Sequence, residues 1–198
     1  MIKIYVEGGA AEGKDTRSKC KEGYSTWVAK LGVQKKPRFI SCGGRQQAFE
    51  DFSCAIRNKE DDDIILLWVD TEDYVEDFKE LWELFRIRDH WSAPAGVTHK
   101  QVVVMRTCME TWLVSDHNAI SALFGSKIKT SLLPGFDGLE MRPRNEVYKA
   151  LVKATNGKYT KGKTSFELLS KTSPSENRKH CQSAERAANM MHSICGKV

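Results

Sequence analysis

The sequence predicts an α/β fold in which a small, mainly parallel sheet is flanked by helices and followed by a basic helical part. Short apolar runs alternate with stretches of helical periodicity over the first two-thirds of the 198 residues. One run, Ile64–Val69, is apolar throughout and then gives way to acidic residues, which is typical of a buried parallel strand. The resulting β-α-β-α-β-α-β order favours right-handed crossovers and therefore a parallel sheet.

Four strands and three intervening helices account for the first part of the chain. The first helix has apolar side chains at helical spacing and stops near Gly32, and Pro37 precedes the next strand. Gly43 and Gly44 then turn the chain from the second strand into the second helix. In chain order we predict strands at Ile2–Val6, Arg38–Cys42, Ile64–Val69 and Val102–Met105, and helices at Thr16–Leu31, Arg45–Arg57 and Glu76–Arg88.

The rest of the chain is predicted to be mostly helical. An apolar segment, Met109–Val114, follows the fourth strand, and the next short helix has Asp116 as its N-cap and Gly125 at its end. We expect one domain at residues 1–125 and a basic, mostly helical C-terminal extension at residues 126–198. Within the extension, helices are predicted at Glu146–Ala154, Phe166–Ser170 and Ser175–Cys195.

Charge is distributed unevenly along the chain. The net charge is +5, but residues 1–125 hold 17 Lys or Arg against 20 Asp or Glu, whereas residues 126–198 hold 14 against 6. The basic part is either a set of solvated helix faces or a phosphate-facing surface beside an acidic site.

Hydropathy and cysteine usage restrict the location and the metal chemistry. No apolar run approaches the ~20 residues that span a bilayer, and the N-terminus lacks the basic and apolar regions of a signal peptide. We therefore expect a cytoplasmic protein. The six cysteines form no Cys-x-x-Cys pair, so free thiols, several of them buried, are expected rather than a zinc site.

Carboxylates stand at the ends of two predicted strands. Glu7 ends the first strand, and Asp70 and Glu72 follow the third, where alternation along an extended chain places both on one side. Three carboxylates within ~4 Å would repel by about 4 kcal/mol per pair at an effective dielectric constant of 20. A bound Mg²⁺ or Mn²⁺ would relieve this repulsion, and such hard cations prefer oxygen ligands. The alternative is that these are ordinary polar residues at loop or helix starts.

Two further charged residues are candidates for the same site. Glu110 lies in an apolar segment, where a carboxylate is costly unless it is paired or bound to a metal. We expect it to act as a further ligand or a base, with a salt bridge to Arg106 as the alternative. Arg45 opens the second helix at the same sheet edge and suits a phosphate contact, with an ion pair to Glu50 or Asp51 as its alternative.

The segment Gly157–Thr164 matches the G-x₄-G-K-[ST] pattern of a nucleotide-binding P-loop. A P-loop joins a buried strand to a helix, whereas the residues before this segment predict a helix. We therefore expect no ATP site here. Lys161 and Lys163 are better explained as contacts to a phosphate backbone.

Five segments together resemble a TOPRIM-like bacterial family, over about Ile2 to Phe166. That family is similar to the TOPRIM domains of topoisomerases, primases and overcoming-lysogenization-defect nucleases. The segments are Val6-Glu7-Gly8-Gly9, Cys42-Gly43-Gly44-Arg45, Leu67-x-Val69-Asp70-x-Glu72-Asp73, Cys108-Met109-Glu110-x-Trp112 and Tyr159-x-Lys161-Gly162.

The resemblance implies a magnesium-dependent nuclease that cleaves DNA or RNA, with Glu7, Asp70 and Glu72 as metal ligands. TOPRIM domains usually carry Asp-x-Asp where this chain has Asp70-x-Glu72. Relatives are often paired with an ABC-type or SMC-like ATPase in systems that resemble phage defence, which implies such a partner here. The alternative is a non-catalytic module of TOPRIM shape that binds nucleic acid or a partner. The expected catalytic residues are Glu7, Asp70, Glu72 and Glu110, and the expected substrate contacts are Arg45, Lys161 and Lys163.

Overall fold

The computed structural model, which describes residues 1–9 and 14–196, is an α/β fold built on a four-stranded, all-parallel sheet. The strands lie in the order β2-β1-β3-β4, and helices cover both faces. This confirms the predicted fold class. The strands are β1 (Ile2–Glu7), β2 (Arg38–Gly43), β3 (Ile64–Asp70) and β4 (Val102–Met105).

Strand register brings the ends of β1 and β3 to the same edge of the sheet. Val6 of β1 pairs with Trp68 of β3, and Asp70 of β3 pairs with Met105 at the end of β4. Because the strands are parallel, their carboxyl ends meet at one edge, where open α/β sheets bind their ligands.

The helices lie close to their predicted positions, with one exception. The predicted helix Ser175–Cys195 is wrong as a single element, because Cys181 is extended (φ −128°) and divides it in two. The break lets the backbone N–H groups of Gln182 and Ser183 donate to the buried carboxylate of Glu140. The helices are α1 (Lys14–Ala29), α2 (Arg45–Arg57), α3 (Leu81–Asp89), α4 (Met109–Val114), α5 (His117–Phe124), α6 (Arg144–Ala154), α7 (Lys163–Lys171), α8 (Pro174–His180) and α9 (Gln182–Cys195).

Short 3₁₀ segments make up part of the connections. The predicted helix Glu76–Arg88 begins with one of them, Phe78–Glu80, whose first turn is capped by Asp77, and it continues as α3. The remaining 3₁₀ segments among the described residues are His99–Gln101, Thr130–Leu132 and Leu139–Met141.

The two faces of the sheet are covered by different helices. Alternate residues of each strand point to opposite faces, so Leu66 and Trp68 join one core whereas Leu67 and Val69 join the other. The C-terminal helices contribute to the first of these cores together with β1 and α1. Residues on both sides of position 125 thus share a core, and the division into 1–125 and 126–198 stays a prediction.

Helices α1 and α7 approach each other closely beside the sheet edge. A Cβ at Gly23 would lie 2.7 Å from the carbonyl oxygen of Phe166, so only glycine permits this spacing. The contact places the first turn of α7 next to the end of β1.

The state of the thiols agrees with the expectation from composition. All six cysteines are free, and Cys54 is exposed while the others are buried. Among the described residues, no helix combines the length and the apolar character that crossing a membrane requires.

Candidate active site at the carboxyl edge of the sheet

A pocket of about 160 Å³ lies at the carboxyl edge of the sheet. Its wall combines acidic side chains from the strand ends and α4 with aromatic and basic residues from the helical layer. The lining residues are Glu7, Gly8, Gly9, Tyr24, Asp70, Met109, Glu110, Lys161, Gly162, Ser165 and Phe166.

The glycines after β1 make room for this pocket. Gly8 has a φ of +125°, and a Cβ there would lie 2.4 Å from Cζ of Phe166. The register between β1 and β2 also shifts at Glu7, which pairs with Gly43 rather than with Cys42. A larger residue at position 8 would therefore push α7 away from the end of β1.

Glu7 and Asp70 both line the pocket, as predicted, and both are poorly compensated. Burial raises the pKa of Glu7, and the Arg45 guanidinium opposes that shift. Its Oε2 atom is buried without a hydrogen-bond partner among the described residues, and Nη1 of Arg45 lies 3.7 Å away. Burial, with repulsion from Glu7 and Glu110, raises the pKa of Asp70 well above its usual range. A bound cation or a shared proton would stabilise this arrangement.

Glu110 is the third carboxylate of the pocket. It lies in the first turn of α4 and is 3% exposed. The hydroxyl of Tyr159 donates a hydrogen bond to its Oε1 at 2.8 Å, and Nζ of Lys161 lies 3.8 Å from the same oxygen. The alternative pairing with Arg106 is wrong, because Arg106 pairs with Glu140 at 3.2 Å.

Glu72 is not brought into the pocket. Its carboxylate pairs with Arg88 at 3.0 Å and also contacts Arg144 of α6. The prediction assumed that strand alternation continues to position 72, but β3 ends at Asp70 and Glu72 has a φ of +67°. This left-handed turn is fixed by a hydrogen bond from the Glu72 N–H to the carbonyl of Thr107. The turn therefore directs the Glu72 side chain toward α3.

Arg45 supports the site through contacts inside the protein. Its guanidinium donates two hydrogen bonds to Asp89 and one to the backbone carbonyl of Asp70. It also lies over the ring of Trp91, 4.7 Å from the ring centroid, and its side chain is only 13% exposed. The guanidinium of Arg45 is thus engaged in contacts inside the protein. Its acidic partner is Asp89, not Glu50 or Asp51 as in the alternative considered from the sequence.

The two predicted phosphate-binding lysines have different surroundings. Lys161 lines the pocket with its side chain exposed, whereas Lys163 forms an ion pair with Asp15 of α1 at 2.6 Å. Both belong to the P-loop-like segment 157–164, which joins α6 to α7. The predicted helix before this segment is confirmed, so the strand that a P-loop requires is missing from its upstream side.

The carboxylates of the pocket fit a hydrated metal ion better than an ion held by protein ligands alone. No three His, Cys, Asp or Glu residues in the described part of the chain are placed to hold one metal ion together. Mg²⁺ is commonly bound by one or two carboxylates and keeps several waters. Glu7 and Asp70 suit that role, since one has a buried, unpaired oxygen and the other is poorly compensated.

Sequence reasoning missed two residues that shape the site. Tyr159 donates to Glu110 although 49 residues separate them, and Asp89 holds Arg45 across 44 residues. Tyr159 belongs to a motif quoted for the family resemblance, but nothing in its local pattern indicates its partner. Asp89 directly follows the predicted helix Glu76–Arg88, where a surface carboxylate is expected.

Comparison with known proteins identifies a family. Residues 11–191 match the model of a family described as a domain of unknown function, DUF4276. No curated protein matches the chain, and no solved structure does. Because the family match extends over most of the sequence, the chain belongs to the DUF4276 family.

Proposed function

We propose that this protein is a magnesium-dependent, TOPRIM-like nuclease that cleaves phosphodiester bonds in DNA or RNA. The observation that carries the proposal is the meeting of Glu7, Asp70 and Glu110 at one small pocket, with the pKa values of Glu7 and Asp70 raised. Clustered titratable groups with shifted pKa values in a cleft are typical of active sites.

The carboxylates have separate roles in this proposal. Glu7 and Asp70 would hold Mg²⁺ or Mn²⁺, which when bound supplies Lewis-acid stabilisation of charge on a phosphoryl oxygen. Glu110 is buried, borders the same pocket and would orient or deprotonate the attacking water. Arg45 would keep the end of β3 in place through its contact with the Asp70 carbonyl.

Phosphate recognition would come from the basic side chain and the helix start that border the same pocket. Lys161 is exposed and borders the pocket. Gly162 and Ser165, at the start of α7, also border it. Within the described part of the chain, no side chain caps the N-terminus of this helix, and the N–H groups of a first turn favour anions. A substrate phosphate would therefore lie between these groups and the acidic strand ends.

The cellular role that we propose follows from the resemblance to TOPRIM-like relatives. The protein would be an effector of a bacterial phage-defence system, controlled by an ABC-type or SMC-like ATPase. The excess of Lys and Arg in residues 126–198 suits a nucleic-acid substrate.

The test is a cleavage assay on purified protein, alone and with any ATPase encoded beside its gene. Duplex DNA and total tRNA serve as substrates, with Mg²⁺, with Mn²⁺ or with EDTA. Glu7→Gln and Asp70→Asn should each abolish cleavage, whereas Glu83→Gln, an exposed carboxylate paired with Arg86, should not. Cleavage that persists in Asp70→Asn, or that never appears with any metal and partner, rejects the nuclease.

One observation favours a second candidate, a non-catalytic module that binds nucleic acid or a partner. Glu72, which occupies the second acidic position of the TOPRIM pattern, is neutralised by Arg88 and Arg144. A binding module would bind nucleic acid or the ATPase equally well with and without metal. Its affinity would also be unchanged by Asp70→Asn.

A further inference from the structure

The loop 155–162 between α6 and α7 brings a buried tyrosine to the pocket. Tyr159 is 1% exposed, and its backbone N–H donates to Oγ1 of Thr155 at 3.1 Å. Its ring packs edge-on against Tyr148, with ring centroids 6.0 Å apart. Tyr148 of α6 thus packs against the Tyr159 ring, and Thr155 fixes the Tyr159 backbone.

The Tyr159 hydroxyl interacts with two residues that line the pocket, Glu110 and Ser165. It donates to Oε1 of Glu110 at 2.8 Å. Burial, with the nearby Glu110 charge, raises the pKa of Tyr159 well above its usual range, so the hydroxyl keeps its proton and stays a donor at neutral pH. The other carboxylate oxygen, Oε2 of Glu110, has no hydrogen bond to a described residue.

We infer that Tyr159 is a positioning residue that holds Glu110 by one carboxylate oxygen so that the other remains free for the pocket. This inference rests on the proposed function, because it assigns the hydrogen bond a role in the reaction. Tyr159 itself does not line the pocket, so it acts through Glu110. Groups of this kind orient the residues that do the chemistry, and losing them costs activity without removing a reacting group.

A purely structural hydrogen bond is the competing explanation, since a buried phenol and a buried carboxylate both need partners. The two explanations differ in what the loss of the hydroxyl does to the reaction. If the hydrogen bond is purely structural, losing it changes only the stability of the protein. A positioning bond lowers kcat, and its effect disappears once Glu110 has lost its charge.

The experiment is a double-mutant cycle on the full chain, with the ATPase partner if cleavage requires it. Tyr159→Phe removes only the hydroxyl. Its matched control is Tyr148→Phe, which removes a neighbouring hydroxyl that has no hydrogen bond to a described residue. Glu110→Gln and the double variant Glu110→Gln with Tyr159→Phe complete the set, and kcat and KM are measured for each.

We expect Tyr159→Phe to lower kcat by about 10- to 100-fold with KM unchanged. In the Glu110→Gln background the same change should lower kcat by less than about 3-fold, because interacting residues are not additive. Equal kcat values for Tyr159→Phe and Tyr148→Phe, with an active wild type, overturn the inference and leave the proposed function standing. A wild type that neither cleaves nor binds Mn²⁺ rejects the proposed function, and the inference falls with it.

Discussion

Arg45 and Asp89 are joined by two parallel hydrogen bonds, from Nε to Oδ1 at 3.0 Å and from Nη2 to Oδ2 at 2.7 Å. The side chains of the two residues are 13% and 11% exposed. Since the third hydrogen bond of this guanidinium is to the backbone carbonyl of Asp70, the pair connects the end of α3 to the end of β3. The acidic strand end is thus fixed by an ion pair that is largely shielded from water.

Arg45→Lys should destabilise the protein by about 1–3 kcal/mol, because a lysine cannot reproduce the paired contacts with Asp89 and leaves buried acceptors without donors. The free energy of unfolding, measured with urea, checks this. Arg86→Lys is the matched control, since Arg86 makes the same two-bond contact with Glu83 at an exposed position. Its cost should be clearly smaller, because water screens this exposed ion pair. Equal costs for the two variants would contradict the role of Arg45.

Asp70→Asn should make the protein more stable at neutral pH in the presence of EDTA. The pKa of Asp70 is raised in the folded state, so the folded protein binds this proton more tightly than the unfolded chain does. Between the unfolded value of about 3.9 and the raised folded value, the free energy of unfolding therefore falls as pH rises. The stability advantage of the asparagine variant should grow over that interval and level off above it.

Thermal unfolding of both proteins between pH 4 and pH 8 measures this difference, and about 1 kcal/mol corresponds to about 2–4 °C in Tm. Asp63→Asn is a control for which the expected change in stability has the opposite sign. Hydrogen bonds from Lys3 and the N-terminal amine lower the pKa of Asp63 in the folded state. That variant should be less stable than wild type at neutral pH, with the difference shrinking as pH falls. An Asp70→Asn protein that is less stable than wild type at pH 7 would contradict the raised pKa.

Glu72→Gln should leave metal binding nearly unchanged, because the structure directs Glu72 to Arg88 and Arg144 rather than to the pocket. Titration calorimetry with Mn²⁺ should give a Kd within about 3-fold of wild type. Glu7→Gln should weaken the same binding by at least about 10-fold, since it removes one of the two ligand charges of the proposed site. Loss of binding in Glu72→Gln would restore the ligand set that the sequence suggested.

Lys161 and Lys163 should contribute unequally to nucleic-acid binding. Lys161→Ala should lower the slope of log K against log salt by ~0.9 on duplex DNA, the value expected for one lost phosphate contact. Lys163→Ala should change the slope less, because Asp15 already pairs with that lysine. Fluorescence anisotropy over a range of salt concentrations compares the two. A larger change for Lys163→Ala would show that its ion pair opens on binding.

The sequence by itself determined the strands and the sheet edge at which they deliver carboxylates. Apolar runs that end in acidic residues are a local signal. Parallel pairing of the strands then brings Glu7 and Asp70 to the same edge of the sheet, independently of how the helices pack. The start of α2 at Arg45 and the capped helix after Asp116 were likewise predictable from their flanking residues. These features depend on neighbours a few positions away.

Only the tertiary structure decided which charged groups meet. Glu72 lies outside the pocket because its own backbone is left-handed, a conformation fixed by the hydrogen bond to Thr107. Arg45 is bound by Asp89, at the far end of α3. Glu110 obtains its partner from Tyr159, in the loop before α7. Such contacts join residues tens of positions apart. The packing of α3, α6 and α7 against the sheet sets them, and hydrophobic periodicity carries no information about charged partners across that distance.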